Sequence, residues 1–223
     1  MVSARSDFSF DCLFCFYIYT TVLLELFGLH RKDGRVILPL LKTLDVLLSH
    51  GTFDALIKGN HVATGNFSSS LMAQLRLECK GCRDVQRLLA AVSVALGLLV
   101  SDQVSVVQKD VLPFLMIMLA HRYPRVRRWT AEQLYVHLLE GTSATNTGGE
   151  SIDQAMQLLM EVSWDDDLDY PGNVRESRNC VADALGIPLT EKERNGIQKK
   201  ATKNNAAIDE FESYASLVDA AGR

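Results

Sequence analysis

The sequence predicts an all-α chain, a HEAT/armadillo-like α-solenoid of antiparallel helix pairs, and three observations carry the prediction. The first is the run Val111–Leu139, where the apolar segment VLPFLMIMLAHRY meets the amphipathic segment PRVRRWTAEQLYVHLL at Pro124. In the second segment Val126, Thr130, Leu134 and Leu138 fall on one stripe at helical spacing, with Ala131 and Tyr135 beside it. Two helices joined so tightly pack antiparallel, which is the unit of a solenoid. The second observation is a further copy: IDQAMQLLMEVSW (152–164) is answered after a turn by VRESRNCVADAL (174–185). Val-Arg opens the second helix in both pairs, at 126–127 and again at 174–175, a repeat of 48 positions. The third is the lack of alternating β-branched runs, which leaves no convincing strand.

Taken in order, helical spacing covers 12–29, 35–49, 68–80, 84–100, 104–120, 125–140, 152–164 and 173–186. Turn signals separate them: Lys32-Asp33-Gly34, Gly51, Gly59-Asn60, Gly81, Asp102, Pro124, the loop 141–150 and Pro171-Gly172. Gly186 followed by Pro188 stops the last helix. From 189 the residues become charged and small, and 189–223 reads as a solvated tail. Within it Ile208, Phe211, Ala215 and Val218 share a face, so a short helix over 206–220 fits the spacing.

Several function classes are excluded or disfavoured by composition. The 223 residues are 48% hydrophobic and 22% charged, in the range of globular chains, and the net charge of −4 gives no basis for nucleic-acid binding. The uncharged segment CLFCFYIYTTVLL (12–24) is shorter than the roughly 20 residues a membrane span needs. Asp7 and Asp11 and the missing small-residue cleavage pattern speak against a signal peptide, so neither membrane insertion nor secretion is expected.

No cofactor, metal site or catalytic set emerges, and the chain is not expected to be an enzyme. Cys12-x-x-Cys15 and Cys79-x-x-Cys82 together offer four thiolates, the number for a tetrahedral zinc. The first pair lies in an apolar helix and the second at a helix end, where Gly81 has a capping role, so both read as structural free thiols. Cys180 reads as a structural residue on the apolar stripe of its helix. Asp165, Asp167, Asp169 and Glu176 have the spacing of a calcium loop, but Tyr170 stands where its sharp turn needs glycine. No phosphate-binding glycine loop or nucleophile elbow is present, and the five histidines lack ligand spacing.

What the residues do offer is charge at the repeat turns. Arg127 and Arg175 are expected along the seam between repeat units, with Asp165 and Asp167 of the acidic turn receiving Arg175. His121, Arg122, Arg125, Arg127 and Arg128 gather basic residues around one turn, and Arg122, Arg125 and Arg128 are the candidates for meeting an acidic partner surface.

The segments PLLKTLDVLLSHGTFD, RDVQRLLAAVSVALGLL, HRYPRVRRWTAEQLYVHLL and SWDDDLDYPGNVRESRNCVADALGIP resemble, in that order, the C-terminal domain of the tubulin-folding cofactor D family. The resemblance covers 35–188; residues 1–34, an apolar N-terminal segment, and the tail stand apart from it. It implies a cytoplasmic, cytoskeleton-associated chaperone or scaffold module of post-chaperonin tubulin folding and αβ-heterodimer assembly. The implied partners are β-tubulin, the tubulin-folding cofactors E and C and an Arf-like small GTPase, with GTPase stimulation belonging to the whole complex. The other reading is a generic HEAT-like adaptor, membrane-associated through 12–24.

Overall fold

The computed structural model describes residues 10–53, 62–101, 105–145, 149–166 and 174–195, and all the regular structure among them is helical. The helices are α1 (Phe10–Leu29), α2 (Gly34–Ser49), α3 (Val62–Cys79), α4 (Val85–Ser101) and α5 (Ser105–Leu119). They continue with α6 (Pro124–Thr145), α7 (Glu150–Glu161), α8 (Val174–Ala184) and the single turn α9 (Glu191–Asn195). The all-α expectation holds, and α3 starts six residues before the expected 68.

Each boundary has a local cause. Lys32 takes a left-handed conformation (φ 63°) to turn the chain after α1, and Asp33 then caps α2 by accepting from the Arg35 amide at 3.0 Å. The buried face of α2 is Ile37, Leu40, Leu41, Leu44 and Leu48, a helical stripe that turns into the core. Gly186 closes α8 with φ 66°, its N–H bonding Asp183 and the next amide, of buried Ile187, bonding Ala182. Beyond that stop the fold continues past the expected boundary at 188. Thr190 and Glu193 cap α9 reciprocally, Thr190 Oγ1 accepting from the Glu193 amide and Glu193 Oε2 from the Thr190 amide. Leu189 packs on the core as well. The proposed helix over 206–220 lies outside the described residues.

Packing arranges the helices in two layers. One holds α1, α3, α5 and α8 side by side, and the other holds α2, α4, α6 and α7. Through α6 every helix stacks on the one two places before it, the pattern of a HEAT-like solenoid. Helix α4 is central to this stack and buries Leu88, Ala91, Val92, Ala95, Leu98 and Leu99. Gly97 lets it approach α2, since a Cβ there would meet the Leu48 Cβ at 3.0 Å.

The last pair breaks the alternation. Helix α7 lies against α6 and α8 lies against α5, so α5, α6, α7 and α8 close a four-helix ring. Val126 and Val174, matched by the repeat, are both fully buried but stand in opposite layers. One hydrophobic core runs from Leu23 through Ile187, so α1 belongs to the same body as the rest.

Candidate functional site

The α5–α6 turn, where sequence reasoning gathers its basic residues, sorts them into three kinds. Arg127 is one, and it is only 1% exposed. Its guanidinium donates to main-chain oxygens on both sides of the ring: Trp164 (2.8 Å) and Asp166 in the α7–α8 linker, His121 (2.8 Å) and Arg122 (3.2 Å) in the α5–α6 turn. A buried charge costs heavily unless its donors are used, and four carbonyl oxygens accept from this guanidinium. Arg127 therefore ties the α5–α6 turn to the α7–α8 linker.

His121 departs from expectation. It is counted with the basic residues in sequence, but burial, and then the charges of Arg122 and Arg127, push its imidazole down to about 4. It is neutral at physiological pH, and its Nδ1 accepts from the Tyr123 amide at 3.2 Å.

Arg122, Arg125 and Arg128 are all exposed but are not equivalent. Arg122 lies over the ring of Tyr123 at 4.5 Å, a cation–π contact. Arg128 bonds Glu132 one turn along (2.9 Å) and reaches Asp165 at 3.4 Å, which holds its charge on. Arg125 has no carboxylate at ion-pair distance among the described residues. Asp165 of the acidic turn is reached by Arg128. Asp167 lies outside the described residues, and Arg175 is half-buried at the start of α8. The arginine that α8 buries is Arg178, which donates to Met116 O of α5 (3.4 Å) and to Glu193 O of α9, while burial lowers its basicity.

Arg125 and Arg128 stand on the wall of an open groove of about 730 Å³ across the α2–α4–α6 layer. Leu89, Ala90, Pro124 and Trp129 give it apolar surface, and Gln86 and Ser93 add polar groups. Lys42 and Asp45 line the α2 side, and desolvation raises the Asp45 carboxyl. The Trp129 indole N–H is buried with no acceptor. A second cleft of about 280 Å³, between α6 and α7, shares Arg128, Glu132 and Asp165 with the first. This ion triad forms the ridge between the two. With Lys42, Arg125 and Arg128 against Asp45, Glu132 and Asp165, the groove has balanced charge and is no purely basic patch. It fits an amphipathic polypeptide surface better than a polyanion.

Lys42, Asp45 and Trp129 were missed in sequence. A faint signal was present, because Lys42 and Asp45 are the charged residues three apart in the otherwise apolar PLLKTLDVLL. Among the described residues no cluster of three or more His, Cys, Asp or Glu side chains could hold a metal. Cys79 and Cys82 are buried, and burial pushes the Cys79 thiol up to about 12, so it is held as a thiol. Cys180, by contrast, is exposed on α8 and not part of its buried stripe. Among the described residues no helix is long and apolar enough to cross a membrane.

Compared with known families, residues 17–87 match the model described as tubulin folding cofactor D C terminal. The match takes in residues 17–34, which the sequence alone sets apart from that family, and ends as α4 begins. No solved structure matches the chain.

Proposed function

We propose, from the match of residues 17–87 to the tubulin folding cofactor D C-terminal family model, that the chain is a tubulin-binding scaffold of post-chaperonin tubulin folding. The family match is the observation that carries this reading. It spans most of α1, all of α2 and α3 and the first turn of α4, and so includes Lys42, Asp45 and Gln86 of the groove. In this reading the groove receives β-tubulin, with Lys42 and Arg125 as the cations free to meet acidic residues and Trp129 as the apolar anchor. Arg128 is already committed to Glu132 and Asp165 and sets the groove's shape. The tubulin-folding cofactors E and C and an Arf-like small GTPase are the further partners of the assembly, in the cytoplasm and at the cytoskeleton. The chain acts by holding a partner; stimulation of GTP hydrolysis belongs to the complex.

The test is capture of purified tubulin by the full chain, with the double charge reversal Lys42→Glu, Arg125→Glu as the groove variant. Retention of β-tubulin by the native chain is expected, with association slowed about tenfold or more in the variant and less affected at high salt. A folded chain that retains no tubulin would leave a helical adaptor for another partner. Equal retention by the variant would move the binding surface away from the groove.

A further inference from the structure

The floor of the groove is one face of α4, and its walls are the two helices beside it. Helix α2 runs parallel to α4, because a Cβ on Gly34 would meet Asp84 where both helices start and one on Gly97 would meet Leu48 near their ends. On α4 the half-buried Leu89, Ala90 and Ser93 face the groove, and the last two are small. The walls carry longer side chains, Lys42 and Asp45 on α2 and Arg125 and Trp129 on α6. Packed helices lie about 8–10 Å apart, so the axes of α2 and α6 stand roughly 20 Å apart across α4. A further helix, about 10 Å wide, nests between them. Lys42 and Arg125 are exposed on opposite walls and Asp45 is half-buried, and none of the three has an ion-pair partner among the described residues.

We infer that the groove takes one amphipathic α-helix of its partner, laid lengthwise on α4 between α2 and α6; the inference rests on the reading of this groove as the partner site. Three arguments select that occupant. All regular structure among the described residues is helical, so the groove offers an incoming strand no sheet edge. An extended segment would press its amides and carbonyls against Leu89, Ala90 and Trp129, which cannot pair them all, whereas a helix arrives with its backbone already paired. The small floor residues let the apolar stripe of such a helix settle deeply, with Trp129 covering one side of it. The uncommitted charges then specify the flanks. Acidic residues on both flanks of the incoming helix meet Lys42 on one wall and Arg125 on the other, and a basic residue meets Asp45. A polyanion fits less well, because Asp45, Glu132 and Asp165 repel it.

Fluorescence anisotropy with the full chain and a series of synthetic amphipathic helices tests the inference. Each peptide is about five turns long, with leucines at spacings of three and four, glutamates on both flanks and one lysine whose position varies. Saturable binding is expected, strongest for one lysine position. A central proline in that peptide should weaken binding about tenfold or more. Ala90→Trp, which fills the floor of the groove, should weaken it as much without loss of helicity. Asp45→Lys should reverse the preference at the lysine position, so that a glutamate there binds better. Failure of the whole series to bind overturns the inference. So does a proline peptide or a polyglutamate that binds as tightly as the helix, or binding indifferent to both Ala90→Trp and Asp45→Lys. Purified tubulin measured beside the peptides separates the two readings. Tubulin captured through the groove with no helix bound removes the helix alone, whereas a helix bound by a chain that retains no tubulin removes tubulin alone.

Discussion

At one end of the helix stack α8 folds back beside α5 and closes a ring, while at the other α1 shows Ile18, Val22 and Leu29 to water. A solenoid exposes an apolar side wherever stacking stops, because each unit buries its face only against a neighbour. Among α5–α8 the layers exchange, so that α7 covers α6 and α8 covers α5. Polar anchoring goes with that closure. Arg127 ties the α5–α6 turn to the α7–α8 linker, and Arg178 ties α8 to α5 and α9. Toward the other end a buried carboxylate does comparable work one helix further in. Glu78 of α3 accepts from the Lys32 amide through both oxygens (3.1 Å) and pairs with Arg87 of α4 at 3.5 Å. That clamp fixes the α1–α2 turn against α3 and α4 but leaves the outer side of α1 uncovered. The comparison shows that buried ionic groups set where helices lie in both regions, while apolar neighbours decide how far each helix is covered.

Breaking the closed end should have the largest effect. Arg127→Ala removes a buried cation and leaves the Trp164 and Asp166 carbonyls without their donor, and the expected cost is about 3 kcal/mol. Chemical denaturation measures it. Hydrogen exchange should show protection lost first in α7 and α8, with α2 and α4 retained; uniform loss would mean the ring is no separate unit.

His121 gives the closed end a pH dependence of intermediate size. Its folded pKa of about 4 lies below the ordinary 6.5, so below pH 6.5 the unfolded chain binds a proton that the folded chain refuses. Stability from this group is complete above pH 6.5, falls as pH drops toward 4, and can change by up to about 3 kcal/mol. His137 is shifted the same way, chiefly by burial. The urea midpoint of the native chain should therefore fall between pH 7 and 4.5 more steeply than that of His121→Asn. Parallel profiles would show that His121 is solvated.

The smallest effect sharpens the contrast. Arg128→Ala removes an exposed pair with Glu132 and a longer contact with Asp165, so its melting temperature should stay near the native value, in contrast to Arg127→Ala one residue away. A large drop would make the ridge between the two clefts part of the scaffold.

Local chemistry wrote most of the secondary structure legibly. Pro124 starts α6, Gly81, Gly51 and Gly186 stand in turns with positive φ, and the apolar stripe of α2 reads straight off PLLKTLDVLL. Val126 and Arg127 of the Val-Arg pair are both buried. Helix α8 lies in the other layer, and its buried arginine, Arg178, was not signalled by the Val-Arg copy at 174–175. The candidate site was half legible: the sequence brought Arg125 and Arg128 to one turn, yet Lys42 and Asp45 come from a helix some eighty residues earlier.

The sequence by itself therefore determined that this chain is helical, where its helices turn, and which stripes seek burial, since those properties depend on residues within a few positions of one another. Only the tertiary structure decided that the last pair exchanges layers, that His121 is neutral, that Asp165 serves Arg128, and that Cys180 is exposed. Each of those outcomes is set by solvent exclusion and charge from distant segments, and spacing along the chain carries no record of either.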